Sequence, residues 1–325
     1  MELPSQLRQA VDRFLEGTPL DQLRVASERL TGRYRSETRD GRQHLDDLSA
    51  VKAYLAARLP ATYAAVRSSM GHVAEAAPDF SPGSLLDVGA GPGTVLWAAA
   101  DTWDGLAKAT MVEASEAVRG AGRSLSADAA LPEAQWLAGD AVGSLPAVQA
   151  ADLVTLSYVL DELAPAAIGP LVDRLWALTA GMLLIVEPGT PAGWSRILAA
   201  RGRLIAAGAH VLAPCPHENP CPLVAPDWCH FSRRVARTRL HRLTKGAEVP
   251  WEDEKFIYVA ASRIPATDRA ARILAPPRGG KGRIGLKLCM PDGSAREETV
   301  SKRDGELFRR ARRLDWGDRL PAAEG

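Results

Sequence analysis

The chain has 325 residues, with 40 Lys and Arg against 39 Asp and Glu and 46% hydrophobic residues. That is a globular composition, large enough to bury a sizeable core, and it excludes a disordered or fibrous chain. The net charge of +1 conceals a division: residues 1–195 carry 15 basic and 24 acidic side chains, and residues 196–325 carry 25 and 15. A surface facing a polyanion is therefore expected in the second half.

No apolar run approaches the roughly 20 residues that span a bilayer, so no membrane partner is expected. The opening MELPSQLRQAVDRFLEG is interrupted by Glu2, Asp12 and Glu16 and reads as neither a secretory signal nor a transit peptide. The expectation is a cytoplasmic monomer whose four cysteines serve some purpose other than stable disulfides.

Residues 1–80 read as a helical cap. Leu7, Val11, Phe14 and Leu15 recur at helical spacing, as do Leu45, Leu48, Val51, Leu55 and Leu59, and Pro60 and Pro78 punctuate the later helices. Arg33, Arg35 and Arg39 read as a solvated face or as contacts to an anionic partner. From Ser84 the pattern changes to short apolar runs, SLLDVG, ATMVEA, AQWLAG, DLVTLS and MLLIVE, separated by stretches of helical length. This is a βαβ series, and it predicts an α/β fold with a mainly parallel sheet covered on both faces. A helix is expected from Pro191 to about Ala207, a sixth strand at His210–Ala213 and a seventh at Lys255–Ala261. A Cys/Pro-rich insertion at about 213–232 and a basic, helix-like stretch lie between these two strands. Beyond Arg263, RILAPP, GRIGLKLCM and REETVS read as short strands between Pro and Gly turns, followed by a basic helix over 306–316. The expected division is a cap at 1–80, a cofactor-binding domain at 81–263 and a small basic β-rich module at 264–325.

LLDVGAGPGTVLWAAA is a strand, a glycine turn and a helix, with Gly89, Gly91 and Gly93 at alternate positions after Asp87. Glycine permits positive φ and lets a ligand approach backbone N–H groups closely. The spacing is tighter than the GxGxxG of dinucleotide folds, which leaves a nucleotide-dependent dehydrogenase as the structural rival. D-x-G-x-G-x-G resembles the first motif of class I S-adenosylmethionine-dependent methyltransferases, whose sheet has seven strands. Glu113 ends the second strand, where a carboxylate suits ribose hydroxyls, and Asp140 follows the third, where it suits an adenine amino group. The fourth strand ends in SYVLDEL and the fifth in EPGTP, without the acceptor motif of base-amino methyltransferases. Asp161 and Glu187 are the candidates for a general base.

The cysteines are Cys215, Cys221, Cys229 and Cys289, three of them in C-x5-C-x7-C spacing. Four thiolates suit a tetrahedral Zn²⁺ or an iron–sulfur cluster, and the chemistry alone leaves both open. Buried structural cysteines, or a nucleophilic Cys215 as in some RNA cytosine methyltransferases, are the other readings.

DVGAGPGT, SYVLDEL, EPGTP, APCPHENPCPL, DWCHFSRRV and VSKRDGELFRRARRLDWGD together resemble the methyltransferase-like assembly factors of the small ribosomal subunit, which occur in mitochondria and bacteria. The resemblance covers most of residues 40–318, and its most specific part is the cysteine loop with DWCHF. It implies S-adenosylmethionine at Asp87, Gly89, Gly91, Gly93, Glu113 and Asp140. It also implies a [4Fe–4S] cluster on Cys215, Cys221, Cys229 and Cys289, and association with small-subunit ribosomal RNA. Two basic runs suit such a partner. One holds Arg233, Arg234, Arg237, Arg239, Arg242 and Lys245; the other holds Lys302, Arg303, Arg309, Arg310, Arg312 and Arg313. Trp228, Phe231 and Trp316 are candidates for stacking on bases. The expected function is a methyltransferase-like protein acting on or with this RNA. A non-enzymatic RNA-binding factor and a small-molecule methyltransferase with a zinc loop are the alternatives.

Overall fold

The computed structural model describes residues 1–36, 44–45 and 47–320. Arg39 lies outside the described residues, as does the side chain of Arg35. The chain opens with helices α1 (Ser5–Leu15), α2 (Leu20–Arg35), α3 (Leu48–Ala57) and α4 (Leu59–Ala76). Asp47 starts α3 by accepting the Ala50 N–H at 2.7 Å, satisfying one of the orphan donors of the first turn. α4 is buried almost all round, because it lies between the other helices and the sheet.

The sheet region runs β1 (Ser84–Val88), α5 (Thr94–Ala100), β2 (Lys108–Glu113), α6 (Glu116–Ser126), β3 (Glu133–Ala138) and β4 (Ala151–Ser157). It continues α7 (Pro165–Ala177), β5 (Thr179–Pro188), α8 (Pro191–Ala206), β6 (His210–Ala213), β7 (Phe231–Ala236), α9 (Arg239–Lys245) and β8 (Trp251–Ser262). The strand order is β3-β2-β1-β4-β5-β8-β6, with β7 also pairing with β8. β1 to β5 are mutually parallel, whereas β8 runs antiparallel to β5, β6 and β7. An antiparallel strand slotted between the fifth and sixth is the class I methyltransferase arrangement.

The sheet has eight strands rather than the expected seven. The extra one is β7, which falls in the stretch read as helical from its arginines. Alternation decides otherwise: Phe231 and Val235 are buried while Arg234 and Ala236 face outward, a period of two. Only the second half of that stretch, α9, is helical.

The last part is a five-stranded antiparallel sheet of β9 (Ala271–Ile273), β10 (Arg278–Gly280), β11 (Arg283–Cys289), β12 (Ala295–Ser301) and β13 (Arg319–Leu320), with α10 (Gly305–Ala311) packed on it. The basic helix is shorter than expected. The helices of residues 1–80 share one apolar core with the main sheet, whereas Ile273, Ile284, Leu286, Leu288, Val300 and Phe308 form a separate core in this module. The module docks on the cysteine loop through Lys287 with Asp227, Asn219 Nδ2 with the Asp292 carbonyl at 3.2 Å, and Arg272 Nε with the Pro214 carbonyl at 3.0 Å.

Candidate functional site

β1 and β4 are neighbours whose connections leave in opposite directions across the sheet. Open α/β sheets bind ligands at that switch point, outside the carboxyl ends of the strands. A cavity of about 340 Å³ lies there, lined by Gly89, Gly91, Glu113, Asp140 and Tyr158 from the sheet edge and by Tyr34, His44, Tyr54 and Arg58 from the helical cap. Its volume is at the low end for small-molecule sites.

The glycine loop is built as its sequence requires. Gly89, Gly91 and Gly93 have φ of +70°, +53° and +87°. A Cβ on Gly89 would lie 2.5 Å from Val159, while one on Gly91 would meet open space, which marks Gly91 as the residue facing the cavity. Glu113 holds the loop in place. Its carboxylate accepts the Gly91 N–H at 3.1 Å and the Ser115 N–H at 2.9 Å; burial pushes its pKa up and those donors oppose the shift. Asp140 accepts the N–H groups of Val142 and Gly143 at 2.7 and 2.9 Å, fixing the turn after β3.

Asp87 and Gly93 do not line the cavity. Asp87 is fully buried beneath the loop, accepts the Thr155 hydroxyl at 2.7 Å, and is pushed by burial up to about 7. Asp161 and Glu187 do not line it either. Glu187 is 0% exposed and accepts the Leu160 N–H at 3.0 Å and Arg196 Nε at 2.8 Å. Burial and the neighbouring Asp161, itself 2% exposed, push the Glu187 pKa up against the pull of Arg196. Glu187 thus braces the turn after β4 from behind.

The group that does face the cavity from this turn is Glu162, one residue on, because the 3-10 turn at Leu160–Glu162 sends successive side chains to different sides. Its carboxylate lies 3.2 Å from His44 Nδ1, and burial followed by the Asp161 charge raises its pKa to about 8. The Glu162–His44 pair escaped the sequence reading because His44 stands alone in a polar stretch. Tyr158 is the one described non-glycine residue with positive φ, +59°. That strained conformation sends its hydroxyl to donate to Glu254 Oε1 at 2.9 Å. Arg58 pairs with the same carboxylate at 3.2 Å and stands over the Tyr34 ring, and the Tyr54 hydroxyl meets Thr94 Oγ1 at 3.1 Å. Tyr34, Tyr54 and Arg58 thus bring the cap over one side of the cavity.

The structure brings all four cysteines to a second cavity, of about 30 Å³, between the main sheet and the module. Cys215, Cys221 and Cys229 come from the loop between β6 and β7, and Cys289 from the end of β11. Trp194, Arg201, Leu223 and Tyr258 complete the wall. Cys289 Sγ lies 3.4 Å from His217 Nε2. Burial pushes the thiols of Cys215 and Cys229 up, and that of Cys289 to about 12; the neighbouring cysteines add to the effect. Cys215 faces this cavity and not the first, and its raised pKa disfavours the thiolate a nucleophile needs. Among the described residues, no three Cys, His, Asp or Glu side chains are grouped to hold a metal ion. The donor set still has the chemistry that a thiophilic group takes: four sulfurs ring one void, in an interior where voids are few. The Trp194 Nε1 and Arg201 Nε donors beside it are buried without partners.

The two basic runs differ in what they touch. Arg234 pairs with Asp253 at 2.9 Å and stacks on Trp251, Arg233 donates to Ser68 Oγ at 3.0 Å, and Arg237 and Lys245 both donate to Glu252, at 2.9 and 2.7 Å. Arg239 is exposed and Arg242 half-buried. In the second run Arg309 pairs with Glu306, while the side chains of Lys302, Arg303, Arg310, Arg312 and Arg313 pair with no carboxylate among the described residues. The Lys302 side chain lies against Gly282, beside the exposed Arg278, Lys281 and Arg283 of PPRGGKGR. The sequence reading missed these three, although their Gly-rich basic spacing was visible. Phe231 is buried, and Trp228 and Trp316 flank His230 at ring separations of 4.9 and 4.8 Å, a packing role for all three aromatics.

Comparison with known proteins bears on what this arrangement is. Among solved structures, a putative RNA methyltransferase, PH1948 from Pyrococcus horikoshii, is 13% identical with a TM-score of 0.42, covering 61% of this chain and 83% of its own. Magnesium protoporphyrin IX methyltransferase from Synechocystis with bound SAM is 14% identical with a TM-score of 0.40, covering 80% and 98%. Among curated proteins, the human ribosome assembly protein METTL17, mitochondrial, is 31% identical over 344 residues, spanning 98% of this chain and 73% of the human protein. The Rsm22-cox11 tandem protein 2, mitochondrial, of Schizosaccharomyces pombe is 28% identical over 193 residues, spanning 45% of this chain and 26% of the yeast protein. The mitochondrial designation of these relatives overturns the cytoplasmic expectation. That expectation leans on the lack of a long apolar run, and such a lack shows only that no helix among the described residues is long and apolar enough to cross a membrane. The family described as mitochondrial small ribosomal subunit Rsm22 matches residues 48–321, and the chain belongs to it.

Proposed function

We propose that the protein is an S-adenosylmethionine-binding assembly factor that works on small-subunit ribosomal RNA, with the cofactor serving to hold a binding conformation. The observation that carries this reading is the cavity at the switch point. Gly89, Gly91, Glu113 and Asp140 face it from the sheet edge, while Tyr34, Tyr54, Arg58 and Tyr158 line the side toward the cap. Glu113 would accept the ribose hydroxyls, Asp140 the adenine amino group, and the Gly91 backbone would lie under the methionine part. The RNA would meet the basic run of residues 302–313, in which all but Arg309 lack a carboxylate partner among the described residues. The name of the human relative, a ribosome assembly protein, agrees with this role.

The division into a cap (1–80), a cofactor domain (81–263) and a docking module (264–325) belongs to the same proposal. So does a thiolate-ligated metal group on Cys215, Cys221, Cys229 and Cys289, a [4Fe–4S] cluster in preference to zinc. A single zinc draws its sulfurs to about 2.3 Å from one point. The four thiols here ring one void, and the preference for the cluster rests on the sequence resemblance. Such a group would fasten the loop to the module; it is assigned no part in chemistry at the first cavity.

Methyl transfer is the second reading, and the His44–Glu162 pair favours it, since it faces the cavity at 3.2 Å separation and could take a proton from an acceptor amine. Titration calorimetry with S-adenosylmethionine, on wild type and Glu113→Ala, tests the cofactor; the variant is expected to lose affinity at least tenfold. Incubation of wild type and His44→Ala with labelled cofactor and small-subunit rRNA separates the readings. Label transferred to the RNA by wild type and lost in His44→Ala would replace the first reading with the second.

A further inference from the structure

Arg201 on α8 and Arg272 on β9 are 5% and 3% exposed. Neither pairs with a carboxylate among the described residues. Arg201 Nη2 donates to the carbonyls of His217 and Asn219 at 2.8 and 3.0 Å. Arg272 donates from Nε to the Pro214 carbonyl at 3.0 Å and from Nη1 to the Gly317 carbonyl at 2.7 Å. Carbonyl oxygens satisfy N–H groups but carry no net charge. Two guanidinium cations are thus buried without counter-ions, and an isolated buried charge costs several kcal/mol.

Both cations stand at the cysteine cavity. Arg201 lines it, its Nε is buried without a partner, and the carbonyls it holds belong to the loop between Cys215 and Cys221. Arg272 is anchored to Pro214, the residue before Cys215, and sits opposite Cys289 in the β9–β11 register. The Arg201 side chain meets the Cys215 thiol, but neutral thiols carry no charge to balance either cation. Four thiolates around a dicationic group do: binding releases four protons, leaves a site of net charge −2, and the two guanidinium groups bring the total to zero.

We propose that Arg201 and Arg272 are the built-in counter-charges of the four-cysteine site, so that the folded protein is electrostatically complete only when that site holds a thiolate-bound metal group. This rests on the metal reading given above and adds a coupling to it. The arginines favour the loaded state and penalise the empty one, which makes docking of the module dependent on loading. They are positioning residues, acting through the sulfurs.

The test uses the full chain, purified anaerobically, in its metal-loaded form and after chelation, as wild type and as Arg201→Met, Arg272→Met, Arg201→Lys and Arg272→Lys. The readouts are the gain in Tm on loading, with zinc alone and with iron plus sulfide, and the metal dissociation constant from chelator competition. The Met variants are expected to bind metal 10- to 100-fold more weakly, the size of effect seen for groups that support metal ligands from outside. They are also expected to lose less Tm when empty than when loaded, because the empty form forfeits only the carbonyl contacts. The Lys variants keep the charge and are expected to keep most of the gain in Tm. Equal loss of Tm in the empty and loaded forms, or Lys variants as impaired as Met variants, would mean that the arginines only fasten carbonyls, and would overturn the proposal while the metal reading stood. A wild-type chain that takes up neither zinc nor iron and sulfide would overturn both. Should the Met variants fail to fold, the Lys variants carry the comparison: an undiminished gain in Tm upholds the proposal and an abolished one overturns it.

Discussion

Residues 230–246 and 301–316 look alike on paper, each with six basic side chains, and the first seems the better polyanion site because it contains no acid. In three dimensions the ranking inverts. The first run enters the sheet as β7, and its partner β8 begins Trp-Glu-Asp-Glu, so that Arg233 lies opposite Glu254, Arg234 opposite Asp253 and Val235 opposite Glu252. Directly opposed strand residues interact, as Arg234 does with Asp253, and with Arg237 and Lys245 on Glu252 half of the run is neutralised. The second run carries Asp304, Glu306 and Asp315, yet Asp304 is committed to capping Ser301, Glu306 to Arg309 and Asp315 to the Trp316 N–H. Lys302, Arg303, Arg312 and Arg313 are left to solvent, and Arg310 is half-buried without a carboxylate partner among the described residues. A basic run reports an RNA surface only once the strand beside it is known.

The largest effect that can break this contrast is on RNA affinity. Replacing Arg309, Arg310, Arg312 and Arg313 together by alanine is expected to weaken binding to small-subunit rRNA on the order of 100-fold. The dependence of log affinity on log salt should become shallower by roughly 3, as for four lost phosphate contacts. Anisotropy titrations at several salt concentrations measure both. An unchanged slope would remove this run from the interface.

Next in size is the effect on folding of breaking the first run. Arg237→Ala leaves the half-buried Glu252 with Lys245 and His241 alone, and is expected to cost about 2 kcal/mol in chemical denaturation while leaving the salt slope of RNA binding intact. A variant of full stability that had lost RNA affinity would reverse the assignment.

Acid sharpens the same contrast. Burial opposes ionisation of Glu252, but hydrogen bonds from His241, Lys245 and Arg237 prevail and hold its pKa well below the usual carboxylate range. A depressed pKa contributes stability that is present above the unfolded value, near 4.5, and lost as pH falls through the folded one. The wild type should therefore be steeply acid-sensitive below about pH 4.5, and Glu252→Gln less so. On the alkaline side Asp87 at about 7 and Glu162 at about 8 act oppositely. The folded state keeps protons there that the unfolded chain releases, so stability falls as pH rises from about 4.5 to 8. Denaturation midpoints across pH 3 to 8.5 test both arms.

The smallest effect is at the surface. Arg234→Ala removes an exposed pair with Asp253 and a contact with Trp251, and is expected to cost about 0.5 kcal/mol. A loss of RNA affinity larger than threefold in this variant would show that the pair opens to meet phosphate.

What the sequence determined by itself is what short-range physics controls. Three glycines at alternate positions dictate a turn of positive φ, and apolar runs of strand length dictate a sheet whose carboxyl ends carry Glu113 and Asp140. The crowding of cysteines and prolines marks an irregular loop. These signals lie within a few residues, so chain order preserves them. Tertiary structure alone decided which long side chains meet. It turned Asp161 and Glu187 inward and Glu162 toward the cavity, because a tight turn separates neighbours in sequence. It also brought His44, Tyr34 and Arg58 over from the cap, made β7 a strand, and set Arg201 and Arg272 beside the thiols. Pairings of this kind span tens to hundreds of residues, and each is chosen by burial and charge compensation across the folded core, for which no local pattern in the chain stands as a marker.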